Sequence, residues 1–241
     1  MVAGSDTGDS LCPDRLGRLV IACEVFKDEF LCFDEPGLEY RFLAQGYHRT
    51  PGRMPSVIQE EIDRSPDGVD AIILGYGLCG NGVVGLRANR CRLVIPRVHD
   101  CIAMLMGSRR VYEEQAARFP GTYYLTRGWI AYGKTPYSEY KNEYLKQYDE
   151  ETATWVAKEI MKHYQRVVII DHGLWAMDEY RTFAREMAAF YGIAYEEMRG
   201  SLDYIQRLLC GPWPPDDFVV IPPGETIQDT PFLCLNPLSL F

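Results

Sequence analysis

Three cysteines stand where a parallel sheet gathers its ligands. Cys23 ends the apolar run Leu19-Val-Ile-Ala-Cys23. Cys79 follows Ala71-Ile-Ile-Leu74 by five residues, and Cys101 lies just past Leu93-Val-Ile95, which Pro96 stops. Each run is short and continuously apolar, the pattern of a strand buried on both faces. Parallel strands would bring all three thiols to one sheet edge. His99 precedes Cys101 by two residues, so one loop presents an imidazole and a thiol together. Three thiolates and an imidazole suit tetrahedral zinc. Three thiolates with an open position suit catalytic zinc or a [4Fe-4S] cluster with one free iron. Soft sulfur disfavours magnesium and calcium. The competing reading is three packed thiols and one loop histidine.

The loop that carries Cys79, Gly75-Tyr-Gly-Leu-Cys-Gly-Asn-Gly82, is rich in glycine. Glycine turns with positive φ and lets the backbone approach a ligand closely. Gly77, Gly80, Asn81 and Gly82 are therefore candidate cofactor contacts, at the start of a helix expected after Asn81. A phosphate loop is excluded, because no Lys-Ser/Thr pair follows, and the GxGxxG formed by Gly80, Gly82 and Gly85 is too weak alone to define a dinucleotide site. His172, in Asp171-His-Gly173, is a candidate base oriented by Asp171 and facing the metal across a cleft. Asp100 and Arg97 flank the Cys101 loop as further catalytic candidates, Arg97 to hold a substrate carboxylate or phosphate. Ser108, which follows Gly107, is a further candidate cofactor contact. Trp129 follows Gly128 just past a strand end, where an indole closes over a substrate or holds a quaternary ammonium group. Arg109 and Arg110 read as solvated.

Short apolar strands separated by helix-length segments mean α/β with a mostly parallel sheet and flanking helices. Strands are expected at 19–23, 38–43, 71–74, 93–95, 122–125, 167–170 and 218–221. Helices are expected at 55–64, 100–118 with a break at Gly107-Ser108, 137–164, 176–191 and 201–209. Tyr137, Tyr140, Tyr144, Tyr148 and Trp155 recur on one face of the long helix, to pack on the sheet or on a partner, a second copy included. The chain also repeats itself: Ala71-Ile-Ile-Leu-Gly-Tyr-Gly-Leu78 is similar to Val167-Val-Ile-Ile-Asp-His-Gly-Leu174, and Arg92–Pro96 to Phe218–Pro222. Two similar Rossmann-like lobes follow, at 19–121 and 122–224, between tails at 1–18 and 225–241, with the site between the lobes.

Lys and Arg number 25 against 34 Asp and Glu, giving a net charge of −9, which argues against broad nucleic-acid binding. No apolar run reaches the roughly 18 residues of a membrane helix. The amino terminus lacks a secretory core. There are 8 cysteines and no CxxC pair, so reduced thiols in a cytoplasmic protein are expected.

The strings GYGLCGNG, PRVHDCIAMLMGS, PGTYYLTRGW and FVVIPPG together resemble a bacterial and archaeal family, domain of unknown function 1638. The likeness runs from about Leu19 to Gly224 and matches the family's strings at Cys79, His99, Asp100, Cys101, Gly107 and Ser108. The resemblance implies one-carbon metabolism beside corrinoid-dependent methyl-transfer systems. Two functions fit it. One is a metal-dependent methyl-transfer enzyme acting on a small molecule. The other is a non-catalytic accessory to a corrinoid protein or methyltransferase.

Overall fold

Leu19–Ala22 is apolar without a break because both faces of the strand it forms are covered; all four residues are fully buried. The structure, a computed structural model, describes residues 17–33, 36–49 and 52–233. Most of the expected tail at 1–18, with Cys12, and the end of the expected tail at 225–241, with Cys234, lie outside the described residues.

In chain order, β1 (Gly17–Cys23) runs through a single turn of 3₁₀ helix (Glu24–Phe26) into α1 (Lys27–Leu31). Then come β2 (Leu38–Leu43), α2 (Met54–Asp63), β3 (Val69–Gly75), β4 (Arg92–Pro96), α3 (Ile102–Leu105) and α4 (Arg109–Arg118). The next stretch holds β5 (Thr122–Leu125), α5 (Arg127–Tyr132), α6 (Pro136–Glu139), α7 (Leu145–Gln147), α8 (Glu150–Met161) and β6 (Arg166–Asp171). The chain continues through α9 (Asp178–Tyr191), β7 (Ala194–Arg199), α10 (Asp203–Cys210), β8 (Phe218–Ile221) and α11 (Thr230–Leu233). No helix among the described residues is long and apolar enough to cross a membrane.

Two sheets organise these elements. The larger has the order β2-β1-β3-β4-β8 and is parallel except for β8, which runs antiparallel to β4. The smaller, β5-β6-β7, is parallel throughout. The expected α/β architecture with mostly parallel strands is therefore what forms. Each sheet has its own core. One gathers Val20, Ile21, Ile73 and Leu74 with Phe26, Phe30 and Tyr204; the other gathers Val167 and Ile169 with Ala184 and Met187 of α9. Fully burying one such aliphatic side chain stabilises by about 1.5–3 kcal/mol, so these runs dominate folding.

Four details differ from the sequence reading. Phe218–Ile221, expected in the second half, lies beside β4 in the larger sheet. A short apolar run carries no information about which strand edge it joins. β7 was not expected, because Ala-Tyr-Glu-Glu-Met-Arg is a solvent-facing edge strand with no apolar signal. The long helix at 137–164 is interrupted. A π turn spans Tyr140–Tyr144, Tyr148 is extended, and Asp149 starts α8 afresh by accepting from the Thr152 N–H at 2.9 Å. The aromatic face is thereby split, with Tyr137 buried and Trp155 65% exposed. Finally, no helix follows Asn81. Residues 79–85 form turns, because Cys79 (φ 46°), Gly80 (64°), Asn81 (70°) and Gly85 (87°) are left-handed, which a right-handed helix forbids. The expected break at Gly107-Ser108 is present, with Ser108 capping α4 through the Val111 N–H at 3.4 Å.

The sheets are joined where α5 meets the turn after β1. Gly128 lies so close to Val25 that an added Cβ would overlap the Val25 carbonyl oxygen. The obstacle is backbone and has no flexible end to move. Gly128→Ala is expected to cost about 1–3 kcal/mol. Thermal melting of the two proteins checks this, and an unchanged melting temperature would show that α5 is free to lift.

Candidate thiol centre and the cavity beside it

The strand order places the site. From β1 the chain moves outward to β2, then returns across β1 to β3. Loops leaving β1 and β3 at their carboxyl ends therefore diverge and leave a crevice between them. Cys23 is the last residue of β1, and Cys79 stands in the loop after β3. That loop is laced to the loop after β4. Leu78 N–H donates to the Val98 carbonyl at 2.8 Å, and Cys79 N–H to the His99 carbonyl at 3.1 Å. The lacing brings Cys79 against Cys101. Cys79 and Asn81 hold left-handed φ without being glycine, a strain that persists only where the surroundings impose it.

The thiols of Cys79 and Cys101 are hydrogen-bonded, and each of these two sulfurs also interacts electrostatically with Cys23. Burial pushes the Cys23 thiol up to about 12. The contact with Cys79, then burial, raises Cys101 well above the usual thiol range. All three negative charges would also oppose ionisation of the buried Tyr76. Both causes favour the protonated thiols of Cys23 and Cys101. Among the described residues, no three histidine, cysteine, aspartate or glutamate side chains stand close enough to ligate one ion. The fold thus brings the three cysteines to one buried crevice without arranging them as a ligand sphere. His99 contributes its carbonyl to the lacing.

The glycines of this loop serve packing. A Cβ on Gly77 would press on Val98 at 3.0 Å, and one on Gly82 would overlap Met54 of α2; Gly80 needs its left-handed φ. The Arg97 guanidinium donates to the Pro231 carbonyl at 2.7 Å and the Pro215 carbonyl at 3.2 Å, tying together the segments before and after β8. Arg109 and Arg110 pair with Glu113 and Glu114 along α4. Cys23, Cys32, Cys79, Cys91 and Cys101 are free thiols, whereas Cys210 is disulfide-bonded, against the expectation of reduced cysteines throughout.

Asp100 opens α3. One carboxylate oxygen accepts the Ile102 N–H at 2.9 Å and the other the Tyr112 hydroxyl at 3.3 Å. Burial raises this carboxyl above the ordinary range. Asp100 also lines a cavity of about 200 Å³ walled by Tyr112, Phe119, Tyr123, Tyr124, Trp129 and Tyr164. Thr126 caps α5 by accepting the Trp129 backbone N–H at 3.1 Å, which places this residue in the first turn of the helix. The Trp129 ring N–H is buried without a hydrogen-bond partner. Sequence reading found Asp100 and Trp129 but not the tyrosines, which sit on separate elements.

His172 follows β6 and is 5% exposed. Its Nε2 lies 3.0 Å from the Leu105 carbonyl, which only accepts, so Nε2 carries the proton. Nδ1 then faces Oε1 of Glu29 at 3.8 Å. The sequence reading named Asp171 as the orienting carboxylate. Asp171 instead accepts the Gly173 N–H and the Arg181 guanidinium, each at 2.6 Å. Glu29 is fully buried, and neither oxygen finds a hydrogen-bond partner. Desolvation pushes its carboxyl up to about 7 and pulls His172 down, so burial favours the neutral form of both partners. The available signal for Glu29 was its position three residues after Phe26, on the face that Phe26 and Phe30 bury.

Fold and site together define an α/β protein with three cysteines gathered at the carboxyl edge of a parallel sheet and an aromatic cavity beside Asp100. The chain belongs to the family described as protein of unknown function (DUF1638), which it matches over residues 42–209. No curated protein and no solved structure matches the chain.

Proposed function

We propose that the protein is a metal-dependent cytoplasmic enzyme of one-carbon transfer, its metal held by Cys23, Cys79 and Cys101. The observation that carries this reading is the thiol pair Cys79–Cys101 with Cys23 beside it, drawn from three strand ends to one buried crevice. Sulfur donors are the type a soft cation takes, and holding one would require the three thiols to draw closer than they stand here. Burial raises the Cys23 thiol, and the contact with Cys79 followed by burial raises Cys101; a bound cation would offset that cost. Zinc held there would supply Lewis acidity for ionising a substrate thiol, and a [4Fe-4S] cluster would supply electrons instead. The chain's own residues do the rest. The Cys79 loop holds its sulfur by the bonds to Val98 and His99, and His172 with Glu29 stores one proton near neutrality. The five free thiols support a reducing compartment, and the Cys210 disulfide weighs against it.

Metal analysis and absorption of anaerobically purified protein test the reading. A colourless zinc protein or a brown iron protein is expected; the absence of both metals overturns it. The second reading, an accessory to a corrinoid protein or methyltransferase, rests on a different observation. Leu145, Tyr148, Trp155 and Ile160 are all exposed apolar side chains between α7 and the end of α8. Metal retention and corrinoid-protein binding without methyl transfer would select it.

A further inference from the structure

We propose that β2 is a dimerisation edge, at which a second copy of this chain adds its own β2 antiparallel about a two-fold axis beside Tyr40. The proposal is independent of the metal reading.

The main chain sets the geometry. Among the described residues, β2 pairs with β1 and ends the larger sheet. No residue of β2 is buried, whereas Leu19–Ala22 of β1 beside it are fully buried. The register is unbroken from Arg18↔Leu38 to Cys23↔Leu43, and the Arg18 N–H donates to the Gly37 carbonyl at 2.8 Å. In a parallel ladder, alternate residues of one strand turn both main-chain groups toward the same neighbour. Gly37, Glu39 and Arg41 therefore turn theirs to β1, and Leu38, Tyr40 and Phe42 turn theirs outward. An edge of this kind is a template for another strand.

The side chains then select the partner. A two-fold axis beside Tyr40 sets this residue opposite its own copy as a hydrogen-bonded pair, and Leu38 opposite Phe42 likewise. Glu39 falls opposite Arg41 of the second copy, once on each side of the axis. These are the non-hydrogen-bonded positions, where Cα atoms approach to about 4.5 Å and side chains are closest. Opposite charges so placed attract, and like charges repel. Glu39 is half-exposed, and within its own chain it holds Arg41 at 2.9 Å, with Glu61 on the same guanidinium at 3.1 Å. Across the axis the two Glu39–Arg41 pairs merge into one cluster of alternating sign. The Tyr40 side chain keeps its place, its hydroxyl donating to the Phe33 carbonyl at 2.8 Å and its ring stacked on Phe42.

Moving the axis loses the match. Centred on Glu39 or on Arg41, the pairing sets like charges face to face. The middle of β7, an edge of the smaller sheet, would set Glu196 or Glu197 against its own copy. A two-fold axis at β2 uses up the edge on both chains, so association stops at two copies.

Sedimentation of the full chain at rising concentration tests the proposal, in about 0.15 M salt, where only charges within about 8 Å act on one another. The mass is expected to rise from one chain to two over the micromolar range, because one pair of short strands makes a small interface. Glu39→Arg and Arg41→Glu each set like charges across the axis, and each is expected to weaken self-association at least about tenfold. Mixed together, these two variants again set opposite charges at both positions. They are expected to form a complex of one copy of each, with the affinity of the unaltered chain for itself. A mass of one chain at every concentration overturns the proposal, a result read on the unaltered chain and independent of how the variants fold. Dimerisation that Glu39→Arg leaves unchanged also overturns it, as do folded variants that fail to bind each other. Glu39 is half-exposed, so Glu39→Arg is expected to fold, and thermal melting checks both variants.

Discussion

Cys101→Ser is expected to empty the thiol centre and abolish turnover. Serine matches the size of cysteine, but its hydroxyl stays protonated near neutral pH and ligates zinc or iron poorly. Cys101 is also the thiol that touches Cys79, so its loss breaks the pair that carries the functional reading. Ligand loss should lower metal affinity at least as much as loss of a supporting hydrogen bond does, about 10–100-fold. Metal content, thermal melting and a methyl-transfer assay on one preparation check the result. If the metal staples the fold, stability and metal fall together. If it is catalytic, the chain folds, keeps its partner and loses turnover. The structural cost of the substitution itself is about 1–3 kcal/mol, because Cys101 is buried and a buried hydroxyl needs a partner. A stable variant with unchanged metal and activity would remove this residue from the mechanism and leave the accessory reading ahead.

The positions of the three cysteines were legible because strand ends were. Leu19–Cys23, Ala71–Leu74 and Leu93–Ile95 are buried on both faces, so each reads as an unbroken apolar run with a definite end. Their shared edge followed from parallel pairing. What local sequence does not encode is which strand lies beside which. β8 joined the larger sheet instead of the smaller, and the apparent repeat of Arg92–Pro96 in Phe218–Pro222 reflects two strands of the same sheet lying side by side. Exposed β7 left no apolar mark. The aromatic face from Tyr137 to Trp155 assumed a single helix, and Asp149 is the kind of N-cap residue that divides one. The cavity was half legible. Asp100 and Trp129 sit beside conspicuous motifs, whereas Tyr112, Tyr123, Tyr124 and Tyr164 meet only once α4, β5 and the turn before β6 are packed. Glu29 was hidden for a related reason. Lys27-Asp-Glu has no apolar residue of its own, and Glu29 is buried because α1 packs on the core beside Phe26 and Phe30.

Glu29→Gln is expected to change how stability depends on pH. Burial raises the Glu29 carboxyl from its ordinary 4.5 to about 7, so between these values the folded chain holds a proton that the unfolded chain has lost. Stability therefore falls as pH rises through that window. The contribution is intact below about pH 4.5 and gone above about pH 7. A shift of this size corresponds to about 3 kcal/mol, an order-of-magnitude figure for a group with no solvent contact. Glutamine has nearly the same shape and cannot ionise. The variant should lose this slope and, above pH 7, melt higher than the unaltered chain by roughly 5–10 °C. Below pH 4.5 the order should reverse or vanish, because the neutral acid can donate toward Nδ1 of His172, 3.8 Å away, as the amide does. Melting temperatures of both proteins from pH 4 to pH 8 decide the matter. Parallel profiles would mean that Glu29 is ionised when folded. His172 would then have to be the imidazolium that offsets it, and the base proposed for the site would carry its proton throughout.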